Sequence, residues 1–414
     1  MLKKYLKEII VFLEYRYVRK LLESDSVPKI VAVSGSVGKT STKRAIAILL
    51  SEKYKVGWQD GNYNDIVSVP LVFFGQKMPS LFNPIAWAGT LVKFRKSIKD
   101  YPYKVVVLEL GTDAPGQIDA FKKYFKIDVA VVTPIAPEHM EFFDSIDEVA
   151  REELSIINFS RDVLIHESVE EYKEFISKKY TKYGEGKFND SYTAGEEESF
   201  VQTKKERYRI NSDLLGRHQK VNLSAACLVA EKFDLSKTQI EEGLSKITPM
   251  PGRMQQLKGI RSSTIIDDTY NSSPEATIAA LATLKLFNSD HKIAVLGNMN
   301  ELGEISAKLH RDIGKLCQPN FIDLVITIGP DANKYLAKAA ADNGCEVITS
   351  KNPYEISEIL SQKIKKNAVV LLKGSQNKVF LEEAIKGILA DPNDESKLVR
   401  QSKYWLKKKK AMFK

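Results

Sequence analysis

Cysteine is scarce in this 414-residue chain: Cys227, Cys317 and Cys345 are the whole set. Three widely spaced thiols build neither a disulfide framework nor a zinc site, and they fit a reducing, cytoplasmic setting. Long apolar runs are also missing. No segment reaches the roughly 18 apolar residues of a membrane-spanning helix. The opening stretch MLKKYLKEII lacks a secretion-signal pattern, because Glu14 and Arg16 break its apolar run. An even excess of positive charge is missing as well. The net charge of +9 sits between Ser396 and Lys414, where Lys397, Arg400, Lys403, Lys407 to Lys410 and Lys414 meet no acid; the remainder is close to neutral. A general basic surface for nucleic acid is therefore excluded, and no nucleic-acid partner is expected.

What is present is length and alternation. With 43% hydrophobic and 28% charged residues, the chain has the make-up of two or three soluble domains. Residues 1–28 read as one amphipathic helix, with Leu, Ile, Val and Tyr among Lys, Glu and Arg. Strand-like runs at Lys29–Val33, Lys104–Leu110 and Asp128–Thr133 then alternate with helical stretches, which predicts a parallel sheet covered by helices. A polar region from Gly184 to Leu215 reads as a small antiparallel appendage, and Asn222 to Ser245 as helical. The run TPMPGR (248–253) reads as a linker. Beyond it alternation resumes, with strands expected at Ser263–Asp267, Lys292–Gly297, Asp323–Gly329 and Ala368–Lys373. The fold class is therefore α/β: a phosphate-loop central domain with a parallel sheet at 29–248, a C-terminal Rossmann-like α/β domain at 249–392, and a basic tail at 393–414. The tail reads as a solvated terminal helix or disordered end. Its Tyr404, Trp405, Leu406, Met412 and Phe413 among lysines make contact with an anionic membrane the sharper alternative.

Three groups of residues carry chemistry. The first is Gly35-Ser36-Val37-Gly38-Lys39-Thr40-Ser41, directly after a strand and at the start of a helix. Glycines let the backbone wrap a phosphate, and the helix start offers free N–H groups. Lys39 reaches β- and γ-phosphates and Thr40 holds Mg²⁺, so ATP and Mg²⁺ are the expected cofactors. The second group is Glu109 and His139, each at or just beyond a strand's carboxyl end, where ligands gather in open parallel sheets. The third is the pair Asp267 and Asp268, which binds ribose hydroxyls or cations, or else forms a cap cluster before Pro274.

In chain order, GSVGKTS, GNYNDIVSVP (61–70), LELGTDAPGQI (108–118), TPIAPEHMEFFDS (133–145), GRHQKVNLSAA (216–226), PGR (251–253), IDDTYNSSPEA (266–276) and LLKGSQ (371–376) resemble the Mur ligase family. These are ATP-dependent amide-forming enzymes of cell-wall peptidoglycan synthesis. The run LGNMNELG (296–303), with His310 following, is similar to the branch that adds D-Ala-D-Ala to a UDP-linked muropeptide. The resemblance implies an ADP-forming ligase: a peptide carboxylate becomes an acyl phosphate, which an amino acid or dipeptide amine attacks. It implies Lys39, Glu109, His139 and Glu153 as catalytic groups, with Thr40, Glu109, His139 and Glu153 around the metals. Asn222 would face adenine, Arg253 the γ-phosphate, and Asp268 or Asp267 the ribose. Asn62, Asn64, Asn271 and Lys373 would line the acceptor or amine side. A monomer is expected.

The chain departs from the family in three places. Only about 28 residues precede the central domain, too few for the usual UDP-anchoring domain. An acceptor without UDP, or a role as nucleotide-binding subunit of a ligase complex, are therefore the alternatives. Glu153 occupies the position of a lysine that the family carbamylates, so a permanent carboxylate is expected to replace it, with Glu152 as the neighbouring choice. The segment 79–94 is apolar and aromatic, and reads as a lid packed on the domain or as a peripheral membrane contact.

Overall fold

The computed structural model describes residues 2–61, 63–194 and 199–413, and for residues 2–4 the helical backbone alone. The chain forms two compact units. One comprises Met1–Ala136, Phe142–Ser212 and Gln219–Ile247, the other Pro137–Glu141, Asp213–His218 and Thr248–Lys414. The division is not the single cut at residue 248 that the linker implied. The stretch with His139 belongs to the second unit because its backbone is tied there: the Met140 amide donates to the Glu301 carbonyl at 2.9 Å.

The first unit opens with α1 (Leu2–Leu22), which buries Ile10, Tyr15, Val18 and Leu21 on one face. β1 (Lys29–Ser34) has five consecutive buried residues. A strand apolar on both faces belongs inside a covered parallel sheet. α2 (Lys39–Ser51), β2 (Val56–Gly57), α3 (Val69–Phe73), α4 (Pro84–Lys99), β3 (Val105–Glu109), β4 (Ile127–Val132), α5 (Ile146–Leu154) and β5 (Ser160–His166) follow. Four short strands complete the sheet: β6 (Thr181–Gly184), β7 (Ser191–Ala194), β8 (Phe200–Thr203) and β9 (Arg207–Arg209). Its order is β2-β3-β1-β4-β5-β6-β7-β8-β9. Pairing is parallel from β2 to β7 and antiparallel at β7-β8-β9, so the expected appendage is the sheet's own edge. The helical region after it is two helices, α6 (Arg217–Lys232) and α7 (Lys237–Ser245). Asp234, with φ of 56°, turns the chain between them, and Ser236 with Gln239 closes a capping box on α7.

The segment 79–94 becomes the start of α4, whose Asn83 cap accepts from the Ala86 amide at 3.0 Å. Trp87, Thr90 and Phe94 are buried, and Phe94 stacks on Phe74 with ring centroids 4.0 Å apart. It is a helix packed on its domain. Its outer face leaves Ile85 and Val92 exposed.

The second unit contains β10 (Gln255–Lys258), β11 (Thr264–Asp268), α8 (Pro274–Leu286), β12 (Lys292–Gly297), α9 (Ser306–Leu316), β13 (Leu324–Ile328), α10 (Ala337–Asp342), β14 (Val347–Ser350), α11 (Pro353–Lys363), β15 (Val369–Lys373) and α12 (Glu382–Lys386). The sheet runs β10-β11-β15-β12-β13-β14, parallel except for β10. Residues 393–413, expected to be a solvated terminal helix or a disordered end, are ordered, with a mostly exposed terminal helix. They end in α13 (Lys403–Met412), whose Lys409 is fully buried beside Glu382 and Glu383. Trp405 and Phe413 lie against Phe380, whereas Tyr404 and Met412 stay exposed.

Candidate functional site

In the first unit, β1 lies between β3 and β4, where crossovers leave in opposite directions. Ligands of open α/β sheets bind beyond the carboxyl ends at such a point. The loop after β1 is pinned there. The Ser36 and Val37 amides donate to the Pro134 carbonyl at 2.9 and 3.1 Å. Gly35 has φ of 113°, and a β-carbon on it would strike Thr133. Gly38, with φ of 89°, is the left-handed residue from which α2 starts. A β-carbon there would sit 2.9 Å from the Asn222 Oδ1. Asn222 therefore lies against the loop, and its carboxamide meets the Gly38 backbone.

Three charged side chains converge on this loop. Lys39 Nζ donates to the Gly35 carbonyl and, at 3.2 Å, to the Ser36 carbonyl. Glu153 Oε2 accepts from the Gly35 amide at 2.6 Å, and its Oε1 lies 3.9 Å from Lys39 Nζ. Thr40 Oγ1 donates to Glu109 Oε1 at 3.2 Å. Glu153 sits at this spot because α5, capped by Ser145, presents it toward β1, whose Ser34 hydroxyl donates to the Glu153 carbonyl at 2.8 Å. Its neighbour Glu152 points elsewhere, accepting from the Gly116 and Ile118 amides at 2.6 and 2.7 Å. Adjacent helical residues diverge by about 100°, and that separates the two roles.

Lys43 is a participant that the motifs did not flag. Its ammonium is 3.0 Å from Glu109 Oε2, with both side chains almost wholly buried, and it donates to the Gly61 carbonyl at 3.3 Å. The available signal was spacing: Lys43 follows Thr40 by three positions, on the same face of α2. Asn64 belongs to the same unit. Its carbonyl accepts from the Gly111 amide at 3.0 Å, just past Glu109. Asn62 lies outside the described residues.

The second unit gathers another set. Lys373 Nζ is 2.7 Å from Asp268 Oδ2 and donates to the Asn271 carbonyl at 3.0 Å. Asp268 Oδ1 accepts from the Met254 amide at 3.2 Å. The Arg253 guanidinium lies 4.1 Å from the centre of the Tyr270 ring. Asp267, offered above as a ribose ligand, has no exposed surface. Its Oδ1 accepts from the Thr269 amide and hydroxyl at 3.1 and 2.6 Å, and burial pushes its carboxyl up to about 6. Oδ1 shapes the turn, and Oδ2 is buried with no hydrogen-bond partner among the described residues; Asp268, at the strand end, is 6% exposed.

His139 also falls in this unit, apart from the Lys39 group in the division of the chain. Its backbone is left-handed, with φ of 56°, and its Nδ1 lies 2.7 Å from Glu301 Oε2. That hydrogen bond holds the Glu301 carboxyl below its ordinary range. Glu301 was not singled out from sequence, although it lies within the run LGNMNELG. His310 of the same signature is a structural residue: its Nε2 accepts from the Met299 amide at 3.0 Å, and burial lowers its basicity.

Comparison with known proteins finds two contiguous family matches. Residues 33–230 match the Mur ligase middle domain, and residues 252–376 match the Mur ligase glutamate ligase domain. The UDP-N-acetylmuramoyl-tripeptide–D-alanyl-D-alanine ligase of Bacillus subtilis is 29% identical over 376 residues, covering 88% of this chain and 76% of that one. The Haemophilus influenzae protein of the same name is 25% identical over 378 residues, covering 86% and 76%. The MurF ligase of Thermotoga maritima, solved in complex with ADP, superposes with a TM-score of 0.73 at 25% identity, over 93% of this chain and 84% of that one. The folylpolyglutamate synthase of Mycobacterium tuberculosis, at 17% identity and a TM-score of 0.62 over 90% of this chain and 94% of that one, shares the fold. With both domain matches in order across its two units, the chain belongs to the Mur ligase family.

Proposed function

We propose that this chain is an ATP-dependent, ADP-forming ligase that joins D-Ala-D-Ala, or a similar amine, to a peptide carboxylate in peptidoglycan precursor synthesis. The observation that carries the reading is the loop of Gly35 to Thr40, with Lys39, Glu153 and Glu109 brought onto it from three separate elements.

The chemistry follows from those groups. Lys39 binds the β- and γ-phosphates, whose charge draws its ammonium away from the weaker Gly35 and Ser36 carbonyls. The amides opening α2 add a positive dipole end. Thr40, Glu109 and Glu153 offer a hydroxyl and two carboxylates, the hard oxygen donors that Mg²⁺ takes. His139, the fourth metal group that the resemblance implies, belongs to the second unit, where Glu301 orients its ring. Held by these groups, Mg²⁺ would supply positive charge to offset that developing on the transferred phosphoryl group. In the second unit, Arg253 and Asp268 are the groups that the resemblance assigns to the γ-phosphate and the ribose. Asn64, Asn271 and Lys373 serve the acceptor or the amine. The γ-phosphoryl passes to the peptide carboxylate with release of ADP. The amine then attacks the acyl carbon, and phosphate leaves with the C–O bond.

Phosphate release with a UDP-muramoyl tripeptide, with and without D-Ala-D-Ala, tests this. Turnover needing both substrates is expected. Turnover only with an acceptor lacking UDP moves the chain to another Mur-type reaction, and no turnover with any acceptor and amine sinks the ligase reading.

We also propose that the chain contacts an anionic bilayer through α1 and α4. The two helices meet where Tyr17 and Phe94 rings lie edge to face at 6.2 Å. Outward they leave Tyr5, Ile9, Phe12, Ile85 and Val92 exposed, and Phe82 is exposed just before α4. The exposed charges on residues 5–20 and 82–99 are Arg16, Arg19, Lys20, Lys93, Arg95, Lys96 and Lys99, against one acid, Glu8. Apolar side chains framed by cations suit an anionic surface. No helix among the described residues is long and apolar enough to cross a membrane. Co-sedimentation with phosphatidylglycerol vesicles, lost in F12D/I85D and absent with phosphatidylcholine alone, is expected; no sedimentation of the unaltered chain ends the idea.

A further inference from the structure

Beyond residue 376, where the family match ends, the chain continues into α12 and α13. This extension reaches back into the turn after β11. The Arg400 side chain is nearly buried and uses four of its N–H groups. Its Nε and Nη2 donate to Glu382 at 2.8 and 2.7 Å. Its Nη1 donates to the Tyr270 carbonyl at 2.9 Å and its Nη2 to the Thr269 carbonyl at 2.6 Å. Glu382 has no exposed surface, and its Oε1, which accepts from Arg400 Nε, also lies 2.7 Å from Lys409 Nζ. Lys409 also reaches Glu383 at 2.7 Å, and Lys386 approaches Glu383 at 3.0 Å. Two buried carboxylates thus meet three cations, and the arrangement ends on two backbone carbonyls.

Those carbonyls belong to the stretch between Asp268 and Asn271. Tyr270 is fixed a second time, by its amide donating to the Gly252 carbonyl at 3.0 Å. Its ring is the platform for the Arg253 guanidinium at 4.1 Å. Arg253 Nε is buried and has no hydrogen-bond partner among the described residues, so the ring is what holds that end of the side chain. An arginine is suited to the task. Its planar fork spans a carboxylate and two carbonyls at once, which a lysine ammonium cannot do.

We propose that Arg400, braced by Glu382 and Lys409, is a positioning residue for Arg253 and Asp268. The proposal rests on the reading above that these two meet ATP. The C-terminal helix then acts on nucleotide binding without touching the nucleotide.

The test is the Kd for a non-hydrolysable ATP analogue with Mg²⁺, by calorimetry, together with deuterium uptake of residues 266–272. The variants are R400K and the charge-balanced R400M/E382Q, which leaves no lone buried carboxylate. Binding about tenfold weaker is expected in both, the scale of a misplaced positioning group, with faster uptake at 266–272 and no change in uptake at 34–41. R400K is expected to restore Tm more than it restores Kd. Unchanged Kd with faster uptake makes Arg400 a purely structural brace and overturns the proposal, as does unchanged Kd with unchanged uptake. An unaltered chain that binds no analogue sinks the nucleotide reading itself, and is distinguished from the other outcomes by that measurement alone.

Discussion

Glu153 accepts a 2.6 Å hydrogen bond from the Gly35 amide while its other oxygen lies 3.9 Å from the Lys39 ammonium. A permanent carboxylate therefore faces both the backbone and the cation of the phosphate loop. If it supplies the anion that relatives obtain from a modified lysine, its charge matters more than its shape. E153Q keeps one acceptor oxygen and loses the charge. A fall in kcat on the order of 10- to 100-fold, with a raised Mg²⁺ requirement, is expected from removing one preorganised charge. A Mg²⁺ titration of phosphate release checks it; an unchanged rate and Mg²⁺ dependence rule the role out.

Lys43 and Glu109 form a buried ion pair at 3.0 Å. Breaking such a pair from one side strands a charge, at a cost of about 3–5 kcal/mol. K43M should therefore lower stability by roughly that amount in denaturant unfolding. K43M/E109Q should recover most of it and, on the proposal that Glu109 holds the metal, should lose activity. Equal stability of K43M and the unaltered chain would show the pair to be idle.

Gly38 combines a left-handed backbone with an Asn222 side chain against its open side. G38A pays a backbone cost of roughly 1–2 kcal/mol as well as displacing Asn222. Nucleotide affinity should fall, and N222A added to G38A should relieve the crowding without restoring affinity fully. Titration of the three variants with ADP measures the two contributions; full recovery in the double variant would mean that φ does not matter.

Glu14 is buried in α1, and neither of its oxygens has a hydrogen-bond partner among the described residues. Burial, and secondarily the nearby Asp65, push its carboxyl up from 4.5 to about 9. The folded chain then holds a proton that the unfolded chain releases near pH 4.5. This favours folding fully below that pH and is lost as pH rises toward 9. E14Q removes the liability. Its Tm should exceed that of the unaltered chain, and by more at pH 8 than at pH 5. A Tm difference independent of pH would show that Glu14 does not titrate in this range.

Much of the architecture was legible in the chain. Each expected strand, from Lys29–Val33 to Ala368–Lys373, lies within one residue of the observed one at either end. Runs of β-branched residues flanked by polar turns leave few other conformations open. The phosphate loop was equally legible, since Gly35 and Gly38 supply positive φ and α2 follows at once. Glu153 could be placed by resemblance, yet only folding shows that it, and not Glu152, faces Gly35. The basic tail holds the terminal helix that was one of its two expected readings, but its anchoring was not legible, because composition names no partners. Lys409 finds Glu382 and Glu383, and Arg400 finds carbonyls 130 and 131 residues earlier in the chain.

By itself, then, the sequence determined what near neighbours decide: strand, loop and helix order, and the loop's capacity to cradle phosphate, because backbone torsions and apolar periodicity act over a few residues. Tertiary structure alone decided which carboxylate meets which cation. Lys43 to Glu109, His139 to Glu301 and Arg400 to Glu382 are each a choice among many charged residues of similar character. Burial makes that choice sharp, because an enclosed charge without its partner is too costly to keep.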